Sequence, residues 1–307
     1  MYALHLMLHL NIPMEAEMTN FSRRQVLSLP MAASVVGAGA AGAAYAADSN
    51  SKVNAPDFDA IEDRMTLLTK RGASLSIRQK HLAVLSVAAG LGFEDLGERT
   101  AAAALADGLA PGDIEEAVFH ASPYAGMART RAVLAGVHAA MTAAGIALPL
   151  ESRTVVSDEN RLQKGIAVQT EIFGEQITRM HQTTPAERRS LMIDDLSGWC
   201  FGDFYTRKGL SIAERELATF CTIAALGGCE AQLSAHAAAN LRCGNTKDNL
   251  IDALQCAVVY LGFPRTLNAC AVVDKVNPSK HIAVYAFSLR QARSAQRSCS
   301  AVKHKSA

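Results

Sequence analysis

The 307-residue chain has no strong charge of either sign, because its formal net charge at pH 7 is +1. It also has no basic stripe, no Arg/Lys tract interleaved with aromatic residues and no acidic block. Proteins that bind nucleic acid or anionic membrane surfaces concentrate positive charge, so this composition argues against either as the main partner. A small-molecule substrate, uncharged or weakly anionic, fits the composition better.

The first half of the chain contains no cysteine, and all seven cysteines lie in the second half. Their spacings contain no CxxC pair, no zinc-ligand pattern and no haem-attachment motif. An odd number also excludes complete pairing within one chain. We therefore expect no metal or organic cofactor, and we expect most of these thiols to be small buried apolar groups. The seven are Cys200, Cys221, Cys229, Cys243, Cys256, Cys270 and Cys299.

Alternation of apolar and polar residues, the pattern of a β-strand, is absent from Asp57 onward. Apolar residues instead recur at spacings of three and four, which is typical of amphipathic helices. Capping boxes at Ser76 with Gln79 and at Ser211 with Glu214 mark the starts of two long apolar helices. The pattern predicts an all-α fold.

An internal duplication repeats part of the chain at an offset of about 136 residues. The segments LSIRQKHLA from Leu75 and YAGMARTRAVLAGV from Tyr124 return as LSIAERELA from Leu210 and YLGFPRTLNACAVV from Tyr260. Duplication at this length predicts two similar helical units in tandem.

Five segments follow from these features. We predict a signal peptide over residues 1–46, a first, degenerate repeat over 55–150, a helical bridge over 151–209, a second, catalytic-type repeat over 210–290, and a flexible tail over 291–307. Within the bridge, apolar periodicity predicts one helix over 159–173 and another near 186–199, separated by a Thr-Thr-Pro break.

The N-terminal segment has the pattern of a twin-arginine export signal. The sequence SRRQVL from Ser22 precedes a run rich in Ala and Gly that ends at Ala46 in an A-x-A motif. The run is thin in Leu, Ile and Phe, which favours an export signal over a lipid-spanning anchor. We expect translation to start at Met18. We also expect a periplasmic or secreted mature protein that begins near Ala47, with no stable membrane anchor after signal removal.

The second repeat carries four chemically capable residues that the first repeat lacks. Glu216, Cys229, Gln232 and His236 align with His81, Glu94, Gly97 and, after a one-residue slip, Thr100. Cys229, Gln232 and His236 are spaced seven and four apart, so they share one face of a helix. An antiparallel return would bring Glu216 opposite that face. A carboxylate beside an imidazole, next to a thiol, is a credible proton-transfer site.

Each of the three candidate catalytic residues also has an ordinary structural interpretation. Glu216 near a helix start could be a solvated residue favoured by the helix dipole. Cys229 could serve only packing, and His236 could be a satisfied buried histidine. Their joint presence in one repeat, and their absence from the other, favours a functional interpretation.

Further candidates for substrate contact are Gln232 and four residues with side chains suited to a pocket wall: Tyr260, Phe263, Arg265 and Phe201. The first repeat keeps the tyrosine and the arginine of the shared segment, so a structural role explains these two as well. Phe201 precedes the second repeat and could form a wall of its cleft or an aromatic anchor. We expect a pocket beside the second repeat and none beside the first.

The second repeat resembles the carboxymuconolactone decarboxylase family, which is related to alkylhydroperoxidase D, and looks most like its exported tandem-repeat branch. The resemblance covers residues 195–275 well and 70–145 weakly. It rests on LGGCExQLxxH over 226–236, on GNT over 244–246, and on YxGFPRxLN over 260–268. It implies an all-α fold of packed helical hairpins. For a tandem chain it also implies a homotrimer that forms a pseudo-hexamer of repeats.

Two chemistries follow from this resemblance. In the decarboxylase branch, His236 would be the proton source, Glu216 its partner and Gln232 an oxyanion contact, acting on a small unsaturated carboxylic acid or lactone. In the peroxidase branch, Cys229 matches the first thiol of a CxxC, but Gln232 replaces the second. A Cys-dependent peroxidase is therefore the alternative to a decarboxylase-like enzyme. A non-catalytic oligomer that binds a small molecule is the second alternative.

Overall fold

The computed structural model of the chain describes residues 55–67 and 71–276. The predicted signal peptide, Met18, the predicted tail and residues 277–290 of the predicted second repeat lie outside the described residues. All regular elements in the described part are helices, so the predicted all-α fold is confirmed. Within the same ranges, no helix combines the length and apolarity needed to span a membrane.

The first repeat consists of six helices: α1 (Pro56–Met65), α2 (Ile77–Leu91), α3 (Glu94–Ala106), α4 (Pro111–Phe119), α5 (Ser122–Ala125) and α6 (Met127–Ala143). The predicted capping box is present at the start of α2, where Ser76 accepts from the backbone N–H of Gln79 and the Gln79 side chain accepts from the Ser76 N–H. Pro111 occupies the first turn of α4, where its missing N–H has no intrahelical partner to lose.

The bridge contains α7 (Arg161–Phe173), α8 (Gln176–Thr183), a 3₁₀ turn (Ala186–Arg188) and a π-helix (Ser190–Tyr205). The second helix predicted for the bridge, near 186–199, is therefore present, but it is a 3₁₀ turn followed by a π-helix that extends six residues further, to Tyr205. Gly165 of α7 allows the two long bridge helices to cross closely, since a Cβ there would lie 1.9 Å from the carbonyl oxygen of Ser197.

The second repeat consists of α9 (Ile212–Leu226), α10 (Glu230–Arg242), α11 (Lys247–Leu261) and α12 (Phe263–Lys275). Its predicted capping box is present at Ser211 and Glu214, and Thr246 forms a further one with Asn249 at the start of α11. The loop between α9 and α10 has one residue more than the loop between α2 and α3. By helix position, Cys229 therefore corresponds to Phe93 and not to Glu94 as the sequence alignment places it.

The two repeats pack through their equivalent helices α2 and α9. Gly90 lies so close to α9 that an added Cβ would be 2.7 Å from the Cβ of Ala225 and 2.8 Å from the carbonyl oxygen of Thr222. The Thr222 hydroxyl donates across this crossing to the carbonyl oxygen of Ser86 at 3.3 Å. Apolar clusters lie on both sides of the crossing, one mainly in each repeat, and a third cluster lies between the bridge helices.

Candidate active site

A buried carboxylate and imidazole meet where α9 and α10 form a hairpin. Glu216 is fully buried on α9, and its Oε2 lies 2.9 Å from Nδ1 of His236 on α10. Asn240, one turn after His236, donates to the carbonyl oxygens of Glu216 and His236, each at 2.8 Å. The side-chain amide of Asn240 thus links the backbones of α9 and α10 beside the pair. This link fixes the separation of the acid and the imidazole.

The second oxygen of Glu216 accepts from a residue of the bridge. Tyr205, the last residue of the π-helix, donates its hydroxyl to Oε1 of Glu216 at 2.8 Å. Burial raises the pKa of Tyr205 well above its ordinary value, and the nearby charge of Glu216 raises it further. The phenol therefore stays protonated and acts as a hydrogen-bond donor. From this segment the sequence pattern led us to select Phe201, four residues earlier, and not Tyr205.

The first repeat also contributes to this site. The hydroxyl of Tyr124 lies 2.8 Å from that of Tyr205, and the Tyr124 ring contacts His236 edge-on at 5.3 Å between centroids. Nε2 of His120 lies 3.0 Å from the hydroxyl of Thr219, which in turn lies 3.0 Å from the Tyr205 hydroxyl. The sequence comparison gave no reason to select His120, because it has no counterpart in the second repeat's motif.

An ion pair lies behind His120. The guanidinium of Arg215, fully buried, lies 3.3 Å from Nδ1 of His120 and 3.3 Å from the carboxylate of Glu116. Glu116 is also fully buried and accepts from Arg207 at 2.8 Å. Burial, followed by the charge of Arg215, holds the pKa of His120 well below 6.5. The imidazole is therefore neutral at physiological pH.

One nitrogen of His236 is available for chemistry. Within residues 55–67 and 71–276, its Nε2 makes no hydrogen bond, and 9% of the His236 side chain is exposed. The ring is held edge-on between Tyr124 and Phe173, whose centroid lies 5.5 Å away. The thiol of Cys200 lies 3.9 Å from the Tyr124 hydroxyl. Burial raises the pKa of Cys200 to about 12, so this thiol is not a nucleophile at neutral pH.

Cys229 lies apart from the Glu216 and His236 pair. It is half-buried at the N-cap of α10, seven residues from His236, which corresponds to roughly 10 Å along the helix axis. It lines a cavity of about 270 Å³ together with Gly228, Arg265 and Asn268, and neither Glu216 nor His236 lines that cavity. The sequence-based expectation that all three groups share one hollow is wrong, because two helical turns separate the thiol from the imidazole.

The structure separates the five predicted substrate contacts. Phe201 is buried and stacks on Tyr205 at 4.6 Å, so it is an aromatic anchor and not a cleft wall. Gln232 is exposed, Tyr260 packs between the apolar clusters of the two repeats, and Phe263 is 66% exposed. Arg265 is exposed and lines the Cys229 cavity. These five residues therefore do not form one set of substrate contacts around the Glu216 and His236 pair.

Cavities also occur beside the first repeat, so the expectation of none there is wrong. One of about 460 Å³ lies between α1 and α3, where Phe58 and Phe93 leave apolar surface exposed. Another of about 260 Å³ is lined by Phe119 and Arg207. Among the described residues, no group of three His, Cys, Asp or Glu side chains is arranged to hold a metal ion.

Comparison with known proteins identifies the family. The model of the Carboxymuconolactone decarboxylase family matches residues 57–139 and 194–275, which together span more than half of the chain. A stretch of 121 residues, 39% of this chain, is 28% identical to the 4-carboxymuconolactone decarboxylase of Acinetobacter baylyi and covers 90% of that protein. The second match begins inside the π-helix and so includes Tyr205. The chain therefore belongs to the carboxymuconolactone decarboxylase family, with the family domain present twice.

Proposed function

We propose that this protein is a carboxy-lyase that removes carbon dioxide from a small unsaturated lactone acid. The observation that carries the proposal is the buried contact of 2.9 Å between Glu216 and His236, in which the imidazole keeps one free nitrogen. The 4-carboxymuconolactone decarboxylase of Acinetobacter baylyi, to which part of the chain is similar, supports this substrate class.

The proposed reaction replaces a carboxylate on carbon with a hydrogen atom. The carbon–carbon bond to the carboxylate breaks, carbon dioxide leaves, and the electron pair passes into the conjugated lactone as a dienolate. A proton then bonds to carbon, and the electrons return from the dienolate to form the carbon–hydrogen bond. One proton is consumed for each carbon dioxide released, and no oxidant or reductant takes part.

His236 is the proposed proton donor. Glu216 holds Nδ1, so Nε2 is the nitrogen left to act on the substrate. The negative charge of Glu216 stabilises the imidazolium that carries the proton before transfer. Solvent then returns a proton to the imidazole, because a small part of the His236 side chain is exposed. Tyr205 keeps the carboxylate in place throughout.

The experiment is an assay of carbon dioxide release from 4-carboxymuconolactone and related carboxylated lactones. The wild-type protein should release carbon dioxide from at least one of them, and His236→Gln should lose at least about a hundredfold in kcat, in line with the usual contribution of general acid–base groups. Cys229→Ser should keep the wild-type rate. Equal rates for wild type and His236→Gln would exclude the proposal.

A Cys229 peroxidase is the second candidate, favoured by the half-buried thiol in its own cavity at the N-terminus of α10. The thiolate would attack a peroxide oxygen, the O–O bond would break, and a sulfenic acid and an alcohol or water would form. Cys243 lies at the opposite end of α10, roughly 20 Å away, so an intrahelical resolving disulfide is excluded by distance. Another thiol would have to resolve the sulfenic acid, either Cys221, a cysteine of a second copy of the chain or an external reductant.

Trapping with dimedone after peroxide treatment tests this second candidate. A peroxide-dependent adduct on Cys229, together with thiol-dependent turnover that Cys229→Ser abolishes, would support peroxidase activity. A chain that releases carbon dioxide but forms no adduct would exclude it.

We also propose export by the twin-arginine route and assembly into a homotrimer. Two large apolar side chains of α12, one turn apart, leave a patch suited to an interface: Phe263 is 66% exposed and Leu267 is 60% exposed. Light scattering of the purified protein, with Phe263→Ser as the comparison, would give the mass of the assembly. A monomer at micromolar concentration would contradict the trimer.

A further inference from the structure

A row of buried polar side chains joins the first repeat to the carboxylate of Glu216. In order, it consists of Arg215, His120, Thr219, Tyr205 and Glu216, which we call the polar chain. Successive contacts are 3.3, 3.0, 3.0 and 2.8 Å long. All five side chains are at most 2% exposed, so water does not compete for these contacts. The proton positions in the chain are therefore set by its own members.

At the Arg215 end of the polar chain, only one placement of the His120 ring proton is possible. A guanidinium has donors and no acceptor, so Nδ1 of His120 must accept from Arg215. Burial and the charge of Arg215 lower the pKa of His120, which therefore carries a single ring proton. Since Nδ1 is an acceptor, that proton is on Nε2, and His120 donates it to the hydroxyl oxygen of Thr219.

The hydrogen-bond direction set at His120 continues along the polar chain to Glu216. The hydroxyl hydrogen of Thr219 is free to donate to the oxygen of Tyr205 at 3.0 Å. Tyr205 has one hydrogen, and Oε1 of Glu216 at 2.8 Å receives it. The remaining lone pair of Tyr205 accepts from the hydroxyl of Tyr124. A carboxylate at the far end accepts only, so both ends of the polar chain require the same direction.

We infer that Arg215 at one end and Glu216 at the other together fix the direction of the hydrogen bonds in the polar chain, and that His120 and Thr219 are positioning residues that hold the Tyr205 hydroxyl toward Glu216. The first repeat is therefore part of the machinery of the site and not only a scaffold. Arg215 and Glu216 are adjacent on α9 and point in directions about 100° apart. One helix thus supplies the cation at the start of the chain and the anion at its end.

The direction of these hydrogen bonds also means that the polar chain does not deliver protons to Glu216. If Glu216 took a proton from Tyr205, each donor in the polar chain would have to take a replacement proton from the residue before it. The last proton would come from Arg215, which would become neutral. Burial lowers the pKa of Arg215, and the Glu116 carboxylate beside it opposes that shift. An arginine nevertheless keeps its proton in proteins. The polar chain therefore positions Glu216 without supplying protons. The proton consumed in the reaction enters through His236, a small part of which is exposed.

A kinetic experiment compares Thr219→Val with Thr219→Ser, and this comparison rests on the proposed function. Valine keeps the shape of threonine but removes the hydroxyl, whereas serine keeps the hydroxyl. We expect kcat for carbon dioxide release to fall roughly tenfold in Thr219→Val with KM within twofold, and Thr219→Ser to stay within twofold of wild type in both. Wild-type kcat in Thr219→Val, or an equal loss in both variants, would overturn the inference.

A second measurement tests the inference without using activity. Long-range ¹H–¹⁵N NMR of the wild-type protein reports which ring nitrogen of His120 is protonated. We expect a neutral ring with its proton on Nε2. A proton on Nδ1, or an imidazolium at pH 7, would overturn the inference even if Thr219→Val cannot be purified. If the protein releases no carbon dioxide, the proposed function fails, while the tautomer of His120 still decides the direction of the polar chain.

Discussion

Tyr205 and His236 hold opposite oxygens of the same carboxylate. The Tyr205 hydroxyl donates to Oε1 of Glu216 at 2.8 Å, and Nδ1 of His236 lies 2.9 Å from Oε2. The tyrosine comes from the bridge, whereas the acid and the histidine come from the second repeat. The site therefore depends on how the bridge packs as well as on the repeat that carries the family motif.

Removing the tyrosine hydroxyl should reduce catalysis more than binding. Tyr205→Phe leaves the ring stacked on Phe201 but deprives a buried carboxylate of one donor. Hydrogen bonds to charged groups contribute about 1.5–3 kcal/mol, so kcat should fall about tenfold to a hundredfold, with little change in KM. Steady-state kinetics of carbon dioxide release is the measurement.

Tyr124→Phe is the matched comparison for this prediction. It removes a hydroxyl from the same cluster, but the bond from Tyr205 to Glu216 remains. Its loss in kcat should be smaller than that of Tyr205→Phe. Equal losses in the two variants would show that general packing, and not the donor to Glu216, limits the rate.

The crossing of α2 and α9 should tolerate no added methyl group. In Gly90→Ala the new Cβ would lie 2.7 Å from Ala225 Cβ, so the two helices must separate. Overpacking usually costs about 1–3 kcal/mol, and the upper part of that range applies here because the Cβ would also lie 2.8 Å from the backbone oxygen of Thr222. This cost exceeds the gain of about 1 kcal/mol from replacing glycine within a helix. Urea denaturation should therefore show a lower free energy of unfolding than wild type.

Gly198→Ala is the control for this stability prediction. A Cβ at Gly198 would have its nearest neighbour at 3.7 Å, an ordinary van der Waals distance. We expect no loss of stability in this variant. If both variants unfold at the same urea concentration, the close approach of α2 and α9 does not limit stability.

Local sequence patterns predict a large part of this molecule. The capping boxes at Ser76 and Ser211 depend on residues three apart, and both are present in the structure. The contact of Glu216 with His236 follows from a helical hairpin whose two helices both lie in the second repeat. Such features are predictable because the interacting residues are close in the chain and helical periodicity relates them.

The residues that sequence analysis missed reach the site through long-range packing. His120 lies 99 positions before Thr219 in the chain, and no local pattern connects them. Tyr205 reaches Glu216 because the bridge ends in a π-helix, whereas the apolar periodicity predicted an ordinary helix that stops earlier. The alignment of Cys229 with Glu94 instead of Phe93 has a local cause, because the loop before α10 is one residue longer than the loop before α3.

Acid should destabilise the protein through His120. Folding holds its pKa well below 6.5, through burial first and then through the charges of Arg215 and His236. Below pH 6.5 the unfolded chain binds a proton at this residue and the folded protein does not. Stability is therefore complete above pH 6.5 and falls with pH until the folded-state pKa is reached, at up to about 1.4 kcal/mol per pH unit.

His120→Gln isolates this contribution to the pH dependence. Free energies of unfolding at several pH values between 7 and 5 should decline less steeply for the variant than for the wild-type protein. The same slope for both proteins would mean that His120 titrates alike in the folded and unfolded states, contrary to its buried position.

Thiol labelling should distinguish Cys229 from Cys200 and Cys243. Cys229 is half-buried beside an open cavity, whereas burial raises the pKa of Cys200 to about 12 and that of Cys243 to about 11. Iodoacetamide at neutral pH, followed by peptide mass spectrometry, should therefore modify Cys229 before Cys200 and Cys243. Earlier labelling of Cys200 would contradict the closed packing around Tyr124.

A double-mutant cycle on Glu216 and His236 tests the central claim most directly. Groups that act as one unit give losses that do not add. We predict that Glu216→Gln and His236→Gln each reduce kcat for carbon dioxide release at least about a hundredfold. The double variant should then be no slower than the slower single variant. Losses that multiply in the double variant, or wild-type kcat in either single variant, would contradict the account.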